Sequence, residues 1–188
     1  MNTHRNWHYI DETTRKEWQN PEAILHTIGL KPGFIFVDAG CGDGFFTLPA
    51  ARLAGPAGKV YGIDISSQAI DRIQKKAENE GLVNIKLIVG KAEETVPCSA
   101  CADVVFFGNV LHDFQNPFEV VNNARSIIKP TGKLVNLDWK KTPTDIGPPP
   151  AIRFDEATAI RIIESSGFKV ETIKESGKYH YLIIGKPV

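Results

Sequence analysis

The stretch Phe34-Ile35-Phe36-Val37-Asp38-Ala39-Gly40-Cys41-Gly42-Asp43-Gly44 runs from an apolar segment into three glycines, each separated from the next by one residue. The apolar part reads as a buried parallel strand, 34–38, and the residues from Phe45 onward (FFTLPAARLA) as the helix after it. Glycines at such a junction let the chain turn tightly and let a ligand lie against bare backbone. The N-terminus of the following helix offers unpaired N–H groups to a carboxylate or phosphate. Together these features mark a site for a nucleotide-type cofactor.

The spacing narrows the choice. A dinucleotide fingerprint is G-x-G-x-x-G, and its third glycine allows helix and strand to approach closely. Here the glycines fall at 40, 42 and 44, and position 45 holds bulky Phe45. An acid, Asp38, ends the strand two residues before the first glycine. The pattern VDAGCGDG resembles the first motif of the class I S-adenosylmethionine-dependent methyltransferases. A second strand, 58–64, ends in Asp64, 22 residues after Gly42. An acid at that tip accepts hydrogen bonds from the ribose hydroxyls of an adenosine. Ser66 or Ser67 then caps a helix through Glu80, with Ile70, Ile73 and Ala77 on one face.

Composition sets the broad class. The chain has 188 residues, enough for a single domain with a sizeable core. With 22 basic and 22 acidic residues the formal net charge is zero, so no basic surplus favours nucleic acid by counterion release. No apolar run approaches a membrane span, and the polar N-terminus does not read as a secretory signal. A cytoplasmic protein is expected. The three cysteines, Cys41, Cys98 and Cys101, do not suggest a disulfide scaffold. Cys98 and Cys101 have metal or redox spacing but no accompanying second pair, and they read as small residues in a loop before a strand. No metal is expected.

Strands and helices alternate from residue 21 to the end, which argues an α/β fold. Asn20 and Pro21 start a helix, further strands follow at 84–89 and 103–107, and Asn116 caps a helix to about Ile128. Thr131-Gly132 turns into a strand at 133–138. A proline-rich loop, Trp139 to Arg153, precedes a helix capped by Asp155 and ended by Gly167. Strands 168–175 and 178–185 are joined so closely that they form a hairpin. The family resemblance implies a Rossmann-like fold with helices on both faces. Its sheet is mixed, with seven strands in the order 3-2-1-4-5-7-6, one of them antiparallel. The whole chain, 1–188, reads as one methyltransferase domain: an N-terminal segment, 1–20, and a Rossmann-like core, 21–188.

The resemblance also assigns residues. S-adenosylmethionine carries an amino-acid tail, which should meet the backbone of Gly40, Cys41 and Gly42. The tail ammonium is drawn to Asp38, directly or through water, unless Asp38 only orients the loop. Asp64 should hold the ribose, and Ile65 with the turn at Ala92 and Glu93 the adenine. Lys91 stands where the family commonly has an acid, and an ammonium cannot accept a hydrogen bond. Asn109 and Val110, at the tip of the fourth strand, should lie near the sulfonium. His112 is the candidate base, since its ordinary pKa of about 6.5 suits proton transfer near neutrality; otherwise it packs on the next loop.

Asp138, Trp139, Lys140, Lys141 and Arg153 lie on the carboxyl edge, where open α/β sheets bind ligands. They form either a substrate wall, basic groups for an anionic acceptor and Trp139 for a ring, or a solvated rigid loop. Trp7, His8, Tyr9 and Trp18 form a lid, pad the sheet or mediate a dimer. The chain is similar to quinone-pathway and arsenite methyltransferases, though arsenite chemistry needs several thiols and only Cys41 is well placed. The expected function is methyl transfer from S-adenosylmethionine to a small molecule. The alternatives are a protein side chain as acceptor, cofactor binding without turnover, and a nicotinamide-dependent oxidoreductase, which Phe45 opposes.

Overall fold

Residues 12–188 are described by a computed structural model, so Trp7, His8 and Tyr9 lie outside the described residues. Strands β1 (Ile35–Ala39), β2 (Lys59–Asp64), β3 (Ile85–Val89), β4 (Ala102–Gly108), β5 (Ile128–Trp139), β6 (Phe168–Ser176) and β7 (His180–Pro187) form one sheet. Its order is β3-β2-β1-β4-β5-β7-β6. Pairings from β3 to β5 are parallel, and β7 runs antiparallel to both β5 and β6. This is the order and the sense that the sequence led us to expect.

The helices are α1 (Glu12–Trp18), α2 (Pro21–Thr27), α3 (Thr47–Ala54), α4 (Ser67–Asn79), α5 (Pro117–Ile127) and α6 (Glu156–Ser165). Their starts follow from short polar side chains that accept from otherwise orphaned N–H groups. Asn20, Ser66, Asn116 and Asp155 accept from Ala23, Ala69, Glu119 and Thr158 respectively.

Alternation along the central strands builds two cores, because successive side chains leave opposite faces of a sheet. Phe36, Val104, Phe106 and Val135 face α2 and α3 through Leu25, Ile28, Ala50 and Ala54. Val37, Val105, Phe107 and Leu134 face α5 and α6 through Val121, Ala124, Ala159 and Ile163. With both faces covered, the strands are apolar throughout, which is why they read as runs rather than as an alternating pattern.

Three details differ from the sequence reading. The helix expected from Phe45 starts at Thr47, because Phe45 and Phe46 still belong to the glycine turn. The expected turn at Thr131-Gly132 is a bulge inside a longer β5: Ala102 pairs with Ile128 and Val104 with Lys133. A Cβ on Gly132 would sit 2.7 Å from the Ala102 carbonyl, so only glycine lets the bulge close. In the loop before β4, Cys98 and Cys101 are joined as a disulfide with Cα atoms 5.9 Å apart, rather than standing as two separate small side chains.

Candidate active site

A cavity of about 790 Å³ lies at the carboxyl edge of the parallel strands, and one end of it is the glycine turn. Gly40 has φ 78°, and a Cβ there would meet Val110 Cγ2 at 2.6 Å, so the turn rests directly on the tip of β4. The N–H groups of Gly40 and Cys41 donate to the Ile63 carbonyl at 2.8 and 3.0 Å. The Gly42 N–H donates to Asp64 Oδ2 at 2.9 Å, and the Ser66 N–H to Asp64 Oδ1 at 2.9 Å. The N–H groups of Gly40, Cys41 and Gly42 are thus spent inside the protein. Asp64 lines the cavity and splints the turn, and each of its oxygens keeps a second lone pair for a ligand hydroxyl.

Asp38 lies below the turn, buried, and accepts from Thr47 Oγ1 at 2.6 Å. Burial pushes its carboxyl up to about 7; the Thr47 hydrogen bond opposes the shift, nearby Asp64 adds to it, and Arg15 opposes it. Such a group gains from a cation brought beside it. Thr47 had no signal in the sequence beyond its place in the helix.

α1 forms the roof: Glu12, Arg15 and Trp18 all line the cavity. The Arg15 guanidinium lies 3.8 Å over the Phe45 ring and donates from Nε to Gln19 Oε1 at 2.8 Å. Burial lowers its pKa to about 10, so it stays charged at neutral pH. Gln19 in turn exchanges amide contacts with Asn109, at 3.1 and 3.4 Å. Asn109 adopts φ 61°, a conformation that asparagine tolerates better than most residues. Arg15 and Gln19 are the residues that sequence reasoning missed, since their partners lie far along the chain.

The other end of the cavity carries His112, in a 3₁₀ turn, Leu111–Asp113, after β4. His112 Nδ1 and Asp138 Oδ1 are 2.7 Å apart, both side chains buried. Asp138 Oδ1 also accepts from the Trp139 N–H at 2.8 Å, while Oδ2 has no hydrogen-bond partner among the described residues. Burial alone lowers the His112 pKa, but the charge and hydrogen bond of Asp138, with Asp113 adding, outweigh it and the net shift is upward. Asp138 therefore stands behind His112 rather than in the cavity wall.

Beside His112 is an aromatic wall. Trp18 stacks on His180 at 5.5 Å with planes 9° apart, and Trp139 lies 4.3 Å from His180. Burial, followed by Arg15, Arg153 and Lys140, depresses the His180 pKa to about 3, so that ring is neutral. Gly147 sits on the Trp139 face, where a Cβ would approach within 2.7 Å.

Several expected contacts fall elsewhere. Arg153 does not face the cavity: it is 1% exposed. Its guanidinium donates to the carbonyls of Lys140, Thr142, Ile146 and Pro148 and to Thr144 Oγ1, all within the proline-rich loop. Lys140 pairs with Glu175 at 2.9 Å, and Lys141 is exposed. None of these three basic groups lines the cavity. Ile65, Ala92 and Glu93 also lie outside the cavity lining. Ile65 is exposed, and the Ala92 carbonyl accepts from Asn123 Nδ2 at 2.8 Å.

Residues 30–182 match a family model described as a methyltransferase domain. A demethylmenaquinone methyltransferase of Geobacillus sp. (strain WCH70) is 30% identical over 126 residues, covering 67% of this chain and 53% of the relative. That of Bacillus mycoides (strain KBAB4) is 30% identical over 132 residues, covering 70% and 54%. The chain thus spans about half the length of these curated relatives. A solved SAM-dependent methyltransferase from Aquifex aeolicus superposes with TM-score 0.89 at 28% identity, over 95% of this chain and 100% of that one.

Proposed function

We propose, for a chain that belongs to the S-adenosylmethionine-dependent methyltransferase family, that it methylates a small, flat, protic acceptor held between α1 and the proline-rich loop. One observation carries this reading: a single cavity has the glycine turn and two acids at one end and His112 beside an aromatic wall at the other. When bound, the cofactor supplies a methyl group already activated on a sulfonium, so the protein's main task is alignment.

The residues fit that group. Gly42 has nothing within 4 Å of where its Cβ would be, so a ligand can lie on the turn. The tail ammonium has Asp38 as its acceptor, and with the N–H groups of Gly40, Cys41 and Gly42 engaged the tail carboxylate is left the guanidinium of Arg15. Asp64 takes the ribose hydroxyls. Ile65 and the Ala92–Glu93 turn would border the adenine from outside the cavity wall. Asn109 and Val110 border the reacting end.

At the far end, Asp138 fixes the proton on His112 Nδ1, so that Nε2, which faces Asp113 Oδ2 at 3.5 Å, is the nitrogen that accepts one from the acceptor. The resulting imidazolium is balanced by Asp138, as its raised pKa reflects. Trp18, half-buried and lining the cavity, supplies a face for a ring, with Trp139 packed behind it at 5.4 Å. The relatives named as demethylmenaquinone methyltransferases suggest hydroxylated aromatic rings as the acceptor class.

Labelled methyl transfer to simple naphthols and hydroquinones tests the reading. We expect turnover that His112→Ala lowers at least tenfold while cofactor affinity stays put. Turnover only on peptides, or none on any protic ring despite cofactor binding, would contradict it.

A further inference from the structure

A second cavity, of about 340 Å³, opens at the opposite edge of the sheet, where β1 and β4 begin. Lys31, Lys133, Lys186, Thr131 and Asp103 line it. Asp103 is spent elsewhere: its Oδ2 accepts from the Ile35 N–H and its Oδ1 from Lys129 Nζ, both at 2.7 Å. Lys186 pairs with Glu171 at 3.0 Å. Lys31 and Lys133 have no acidic partner among the described residues. Lys133 is half-buried, and its Nζ lies 3.4 Å from where a Cβ on Gly29 would stand.

An amine drawn partly out of water is costly unless an opposite charge meets it. Here burial, then Lys186 and Lys31, push the Lys133 pKa down, so the neighbours aggravate the cost. A hollow that gathers lysines and leaves two unanswered is arranged for an anion.

We propose that this cavity binds a small, multiply charged phosphate, held by Lys133 and Lys31 with the Thr131 hydroxyl as a further donor. Lysine ammonium groups and a hydroxyl suit phosphate oxygens, and the cavity admits a free diphosphate. The site lies at the amino ends of the strands, apart from the cofactor cavity, so its occupant would act by stabilising the folded chain.

Calorimetric titration of the full chain with sodium pyrophosphate, against sodium chloride of equal ionic strength, tests the proposal. We expect one-to-one binding that Lys133→Met weakens about tenfold, as for loss of one charged hydrogen bond. Affinity for S-adenosylmethionine should be unchanged in that variant. Binding indistinguishable between the two proteins would place the anion elsewhere and overturn the proposal, as would no heat beyond that of chloride. Should Lys133→Met fail to fold, Lys31→Gln, at the exposed rim, is titrated in its place, and undiminished binding there overturns the proposal equally.

Discussion

Asp38 holds a proton near neutrality because burial outweighs its bond to Thr47. Its folded pKa, about 7, lies above the ordinary carboxylate value, so the ligand-free protein should lose stability as pH rises from about 4 through 7. A cationic tail needs the ionised form. Cofactor affinity should therefore fall about tenfold per pH unit once pH drops below 7, and Asp38→Asn should abolish that slope. A flat profile in the unaltered protein would remove the proposed ammonium contact. Asp64→Ala should weaken the cofactor at least tenfold, roughly one charged hydrogen bond, and unchanged affinity would sink the ribose assignment. For His112, the raised pKa sets an acid limb on turnover: activity is lost as pH falls through it. Asp138→Asn removes the main upward influence, so the limb should move to lower pH. A limb that stays in place would show that the pair does not act together. Asp38 and Asp64 lie at the carboxyl ends of β1 and β2, His112 follows β4, and all three line the cavity, a placement that the strand ends in the sequence made readable. Arg15 and Arg153 were not, since a charge near a loop gives no sign of which carbonyl, amide or ring will cover it.

α1 has seven residues and no fully buried side chain, and a helix that short is marginal in isolation. It is held by Trp18 on His180, by Gln19 on Asn109, and by Glu12, which pairs with Lys76 at 3.2 Å. Amide exchange in 12–18 should therefore slow when cofactor binds beneath it; equal rates with and without cofactor would argue against a closing roof. The proline-rich loop is fixed differently, by one guanidinium gathering five acceptors. Arg153→Met should leave those acceptors unsatisfied and destabilise the protein by about 1–3 kcal/mol, read from urea unfolding. Acceptor KM should rise more than cofactor Kd. The loop's rigidity was visible in its prolines, but the role of Arg153 in it was not, because that depends on carbonyls of a folded loop.

Taken whole, the alternation of elements and the terminal hairpin were readable in the sequence, while the sheet order was what the family resemblance implied. A lid was one of three readings the sequence left open for Trp18, and the contact that holds α1 on the cavity, Gln19 to Asn109, joins residues 90 apart. The same order places the glycine turn, Asp64 and the tip of β4 together on one edge. A nicotinamide dinucleotide would need a small residue at 45, and there Phe45 is buried against Phe46 and under Arg15. The most direct test is a calorimetric titration of the protein with S-adenosylmethionine, S-adenosylhomocysteine and NAD in parallel. Binding of the first two, on the order of micromolar, with none of NAD is expected. Binding of NAD alone would contradict the assignment of the glycine turn and everything built on it.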